Sequence, residues 1–181
     1  MFRAATVARH GARGFHATAL RSGLLKGINP LLSADLLHLL RSAGHGDRIC
    51  IVDCNFPAVE AATQTTTGKL VQLAGVDMVE ACDAIASVMP LDGFVDVAVE
   101  FMAPSPGVEL PPLGKEVHEL SQAAIRKHSP SAAIEPLDRF AFYDAARGSF
   151  AIVQASGERR PYGNFILQKG VVGPDGKDLL P

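Results

Sequence analysis

Gly44-His45-Gly46-Asp47 is the segment of this 181-residue chain best suited to moving a proton. Histidine, with an ordinary pKa of about 6.5, gives and takes a proton near neutrality. The flanking glycines let the backbone turn tightly and leave the imidazole uncrowded. Asp47 could fix the ring tautomer or simply cap the turn, and an exposed loop His without a role is the plainer alternative. Asp53-Cys54-Asn55-Phe56-Pro57 sets a carboxylate at the end of an apolar run. Such a group accepts hydrogen bonds from two hydroxyls at once, which suits a polyol, although a turn-initiating Asx residue before Pro reads at least as well. A third constellation joins Arg139-Phe140-Ala141-Phe142-Tyr143 to Tyr162-Gly163-Asn164. Phe140 and Tyr143 are spaced i, i+3 on one helix face, a spacing more often found in cores. Tyr162-Gly163-Asn164 offers a phenol, an open backbone and an amide to a hydroxylated ligand, or else makes a hairpin turn.

Other chemistries lack their residues. No GxGxxG follows a strand pattern and no GxxxxGK[ST] occurs, so phosphate-cradling loops have no support. Cys50, Cys54 and Cys82 have no His at zinc-ligand spacing. No G-x-S-x-G marks a serine nucleophile. His38 and His118 fall on predicted helices and are expected at the surface.

The elements that must position these groups alternate between helical and strand patterns. Ser33 is a predicted N-cap for a short helix carrying Leu36, Leu37, Leu39 and Leu40 and ending near Ala43. Arg48 to Asp53 reads as a buried strand. Thr63 to Leu73 suggests a strand with a turn at Gly68-Lys69, Val76 to Val88 a helix, and Phe94 to Met102 a strand. Ala103 to Gly114, with four Pro, reads as a surface loop. Helices follow over Lys115–His128 and Asp138–Arg147, the latter with Gly148 at C′. Two strands, Ser149–Ala155 and Asn164–Lys169, are joined by residues 157–163. This alternation favours a single α/β or layered α+β domain over residues 23–181.

Charge separates one segment from the rest. Residues 1–22 carry four Arg and no acid, leaving 13 basic against 19 acidic residues beyond them, a net charge of −6. An Arg-rich, acid-free stretch bearing Ala, Thr and Ser has the composition of a mitochondrial transit peptide, with a cytoplasmic chain bearing a basic tail as the alternative. The whole chain, at −2, lacks the basic surplus of a nucleic-acid binder. No run of ~18 apolar residues is present to span a membrane. Three Cys imply no disulfide framework.

Taken in order, Leu25-Lys26-Gly27-Ile28, Leu31 to Leu40, Gly44-His45-Gly46-Asp47, Asp53-Cys54-Asn55-Phe56-Pro57, Pro90-Leu91-Asp92, Arg139-Phe140-Ala141-Phe142-Tyr143, Phe150-Ala151-Ile152-Val153 and Tyr162-Gly163-Asn164 running to Lys169-Gly170 cover nearly all of residues 24–172. Together they resemble the L-fucose mutarotase / D-ribose pyranase family, and its fucose branch most closely. The resemblance implies a three-layer α/β/α domain with a mixed central sheet, a homo-oligomer with sites near subunit contacts, and cofactor-free interconversion of the anomers of a free monosaccharide. It implies that His45 is the acid/base group and Tyr143 a second catalytic residue. Asp53, Asp92, Arg139, Tyr162 and Asn164 match sugar-binding positions. Cys54 stands where a small Ala is more usual, residues 58–75 match poorly and residues 103–134 match weakly.

The chemistry agrees with that assignment. Anomer exchange opens and recloses the ring: a base takes the anomeric hydroxyl proton while an acid protonates the ring oxygen. No metal, redox step or covalent nucleophile is required. A ribose-type pyranose/furanose interconversion and a non-catalytic monosaccharide-binding module are the alternatives. All of these readings expect His45 to border one hollow with Asp53 and the Tyr162–Asn164 bend.

Overall fold

The computed structural model describes residues 23–181; the segment read as a transit peptide lies outside them. Six strands form one mixed sheet in the order β2-β5-β1-β6-β3-β4, where β1 is Arg48–Val52, β2 Leu70–Leu73, β3 Val99–Ala103, β4 Ile134–Asp138, β5 Ala151–Ala155 and β6 Phe165–Gln168. β6 runs antiparallel to both its neighbours, β1 and β3, and every other pairing is parallel.

The side-chain alternation of β1 builds the two cores. Ile49 and Ile51 face one side and Cys50 and Val52 the other, all fully buried. On the first side pack α1 (Ala34–Ser42), α3 (Met78–Ala86) and α4 (Pro112–His128), through residues such as Leu36, Met78 and Val117. On the second lie α2 (Ala58–Gln64) and α5 (Arg139–Arg147), through Ala61, Ala62 and Phe142. The result is the expected three-layer α/β/α domain. Three helix starts carry side-chain caps: Ser33 accepts from the Leu36 N–H, Asp77 and Glu80 form a capping box, and Asp138 accepts from the Phe140 N–H.

Several expectations are corrected. β5 and β6 do not form a hairpin, because β1 lies between them and hydrogen-bonds to both. Residues 58–64 form a helix, and the strand predicted from Thr63 shrinks to Leu70–Leu73 after the turn at Gly68. The strand predicted from Phe94 begins only at Val99. β4 was not anticipated; its Pro136 is tolerated because β4 is an edge strand. Gly148 closes α5 at φ −81°, not in the left-handed form expected of a C′ glycine.

Gly157, just after β5, lets the chain pass against the turn that follows β2. A Cβ there would lie 2.5 Å from the Gly75 carbonyl oxygen. Gly157→Ala is therefore expected to destabilise the domain by about 1–3 kcal/mol, read as a lowered midpoint in thermal unfolding.

Candidate active site

The loop bearing His45 is fixed from both sides. Gly46 adopts φ +85°, which favours glycine. Asp47 caps the turn, accepting from the Gly44 N–H at 2.7 Å. The loop is zipped to the end of β6: the Gly46 N–H donates to Lys169 O and the Lys169 N–H to Asp47 O, each at 2.8 Å. The Lys169 ammonium in turn caps α1 through the carbonyls of Leu40 and Ala43.

His45 Nε2 lies 3.0 Å from Asp92 Oδ2. The Gln168 amide donates to the same oxygen at 3.0 Å, and the Phe94 N–H donates to Asp92 Oδ1 at 3.0 Å. Burial pushes the Asp92 carboxyl upward, but the bonds from Phe94, Gln168 and His45 outweigh it and hold the group below its ordinary value. An ionised Asp92 only accepts, so a neutral imidazole carries its proton on Nε2 and keeps Nδ1 as its acceptor. The His45 side chain is half exposed, whereas that of Asp92 is 2% exposed. Asp92, matched to a sugar-binding position, is thus placed behind the imidazole as its partner. Phe94 meets the ring edge-on at 6.0 Å. His45 opens on a hollow of about 480 Å³ lined by Arg41, Met89, Pro90 and Lys169 to Val172.

The remaining site residues meet elsewhere, at the carboxyl ends of the parallel strands, where open α/β sheets bind ligands. Asp53 follows β1 and Asn164 precedes β6, and the two side chains are locked together. The Asn164 amide donates to Asp53 Oδ2 at 2.9 Å, and its oxygen accepts from the Asp53 N–H at 2.9 Å. Asp53 Oδ1 accepts from the Asn55 and Phe56 N–H groups, so the Asx turn and the site carboxylate are one residue. Burial raises the Asp53 pKa above its ordinary value, against the lowering effect of these bonds.

Tyr143 stacks on Phe56, ring centroids 5.2 Å apart, and the Arg139 guanidinium lies 5.7 Å from the Tyr143 ring centre. With Met102, Pro161 and Tyr162 these residues line a hollow of about 290 Å³, near the lower bound of ligand clefts.

The expected convergence of His45 with Asp53 does not occur within one chain. His45 precedes β1 and Asp53 follows it, so five strand residues, roughly 17 Å at ~3.3 Å per residue, separate the two hollows. Asp53, Arg139, Tyr143, Tyr162 and Asn164 are brought together; His45 and Asp92 stand at the opposite end of the sheet.

Sequence reasoning missed Gln168, whose only signal was a polar residue ending an apolar strand. It also missed Glu158, buried at 1% exposure and gripping Arg160 behind the Asp53 loop. His118, expected at the surface, is 4% exposed, and its Nε2 lies 2.8 Å from the Tyr162 carbonyl oxygen.

A family model described as the RbsD / FucU transport protein family matches residues 26–172. The chain belongs to this family. It is 36% identical over 149 residues to an L-fucose mutarotase of Actinobacillus pleuropneumoniae, covering 82% of this chain and 97% of the relative. To the human fucose mutarotase it is 35% identical over 155 residues, covering 82% and 94%. The Streptococcus pneumoniae fucose mutarotase, solved in complex with L-fucose, superposes with a TM-score of 0.72 at 36% identity, covering 82% of this chain and all of that one. Bacillus subtilis RbsD, solved with D-ribose, shares the fold at a TM-score of 0.62 and 21% identity.

Proposed function

We propose that the chain is a cofactor-independent isomerase that interconverts the α and β anomers of L-fucose. What carries this reading is the agreement, along 82% of the chain, with relatives named for that activity, with a His suited to proton transfer and a hollow lined by Asp53, Arg139 and Asn164 both present. Identity favours L-fucose over D-ribose, since the ribose-bound relative is only 21% identical.

The proton chemistry belongs to His45, with Asp92 holding its ring. The Asp53 carboxylate, Arg139 guanidinium, Asn164 amide and Tyr162 phenol grip the sugar hydroxyls, and the Tyr143 phenol is the second proton-transfer group. Ring opening passes one proton out of the anomeric hydroxyl and one onto the ring oxygen; reclosure on the other face reverses both transfers.

Because one chain holds these two sets at opposite ends of β1, the complete site is assembled between copies in a homo-oligomer. Each half carries an exposed phenylalanine beside it, Phe94 at 51% next to His45 and Phe140 at 66% next to Arg139. Such apolar surface marks a contact face.

Saturation-transfer NMR on L-fucose tests the activity: exchange that protein does not accelerate defeats it, and sugar binding without acceleration favours a binding module. D-ribose in the same experiment separates the pyranase alternative. Assembly is tested by co-expressing His45→Ala with Tyr143→Phe. Mixed oligomers are expected to regain about a quarter of intact sites if the halves come from different copies, and none if they come from one.

The mitochondrial address is part of the same proposal and is supported by the acid-free, Arg-bearing composition of residues 1–22. A fluorescent protein fused to that segment and remaining cytosolic would overturn it.

A further inference from the structure

Tyr162 is the one non-glycine residue with positive φ, +63°, among the described residues. A tyrosine held in that region is strained and persists only where its surroundings impose it. The surroundings here are one face of α4 and the Glu158 side chain, whose Cγ would lie 3.0 Å from a Cβ on Gly163. A Cβ on Gly114 would come within 3.0 Å of the Pro161 carbonyl oxygen, and one on Gly163 within 3.4 Å of Val117. Between these two close approaches, His118 reaches the Tyr162 carbonyl at 2.8 Å.

We propose that His118 is a positioning residue for sugar binding: its Nε2–H holds the Tyr162 carbonyl and so keeps the Tyr162–Asn164 bend in the shape that grips the substrate. This rests on the reading that the bend binds the sugar.

The geometry admits one tautomer. A carbonyl oxygen only accepts, so Nε2 must carry the proton. Burial pushes the His118 pKa below its ordinary value, which favours the neutral ring. The ring is wedged against Phe101, centroids 4.6 Å apart, and meets Phe165 edge-on at 6.0 Å, so it cannot swing away from the bend. The same carbonyl accepts from the Asn164 N–H at 2.8 Å. Two donors on one oxygen therefore set the peptide plane from which Asn164 turns its amide onto Asp53. A line of contacts runs from α4 through Tyr162 and Asn164 to the carboxylate, and none of it touches His45.

That separation dictates the test. Saturation-transfer NMR at several L-fucose concentrations yields KM and kcat for the wild type, His118→Phe and His118→Gln. Phenylalanine keeps the aromatic packing without a donor, and glutamine supplies an N–H able to reach the carbonyl. His118→Phe is expected to raise KM about tenfold with kcat within about twofold, the pattern of lost binding without lost proton transfer, and His118→Gln to recover most of the loss.

An unchanged KM in His118→Phe overturns the proposal, whatever happens to kcat, as does a glutamine variant as impaired as the phenylalanine one. If His118→Phe does not fold, ¹⁵N NMR of the wild-type imidazole decides: Nε2 protonated supports the proposal and Nε2 unprotonated overturns it. A wild type that does not accelerate exchange defeats the functional reading instead, and leaves the tautomer measurement to judge His118.

Discussion

Replacing His45 by Ala is expected to slow L-fucose anomer exchange by about 10²–10⁴-fold, the usual contribution of one positioned proton-transfer group. Folding stability should hardly change. The imidazole is half exposed, and the structure gives it one hydrogen bond, to Asp92. Its removal leaves Asp92 with the Phe94 N–H and the Gln168 amide as donors, so no buried charge is orphaned. Substitutions at such positions generally lie within about 0.5 kcal/mol of neutral. Saturation-transfer rates paired with thermal unfolding check both halves of the claim. A His45→Ala protein that exchanges L-fucose at the wild-type rate would remove His45 from the chemistry and return that loop to the role of an ordinary turn.

The sheet core was legible because its signal is local. Ile49 to Val52 is a continuous apolar run, as a strand buried on both faces must be; the helix over residues 34–42 shows both its apolar spacing and its Ser33 cap, and the helix over 78–86 its apolar spacing. What was not legible is what depends on pairing partners far along the chain. Nothing in residues 149–169 announces that β1 inserts between β5 and β6, so a hairpin was the natural misreading. Pro136 argues against a strand except at an edge, and edge status is a property of the finished sheet. His118 looks like any polar residue on a helix until α4 is laid over Phe101 and Phe165. The site was legible as a set of residues but not as a shape: the seven positions between His45 and Asp53 look close in a motif and become opposite ends of a strand once β1 is extended. Asp92 shows the same limit, since only the folded chain reveals that it faces His45 and not the group around Asp53.

Asp53→Asn is expected to weaken L-fucose binding by at least tenfold and to destabilise the domain by about 1–3 kcal/mol, the range for a buried donor left without an acceptor. The substitution is nearly isosteric, so the argument rests on hydrogen-bond polarity. Oδ1 would keep its bonds from the Asn55 and Phe56 N–H groups, but the new amide would then face the Asn164 amide, donor against donor. Asn164 cannot flip to relieve this, because its oxygen already accepts from the backbone N–H of residue 53. KM from the exchange assay and the unfolding midpoint measure the two effects separately.

pH supplies an independent check. Burial raises the Asp53 pKa, so protonation of the folded chain begins above the ordinary value of about 3.9. As pH falls through that raised value the carboxylate gains a proton and loses acceptor capacity, and KM should rise. The sign for stability is opposite. A carboxyl that binds its proton more tightly when folded contributes more stability as pH falls through the same window. A rise in KM there is therefore not a symptom of this group's unfolding the domain. In Asp53→Asn that acid limb of KM should vanish while the reduced affinity persists at all pH values. Survival of the limb in the variant would assign the titration to another group.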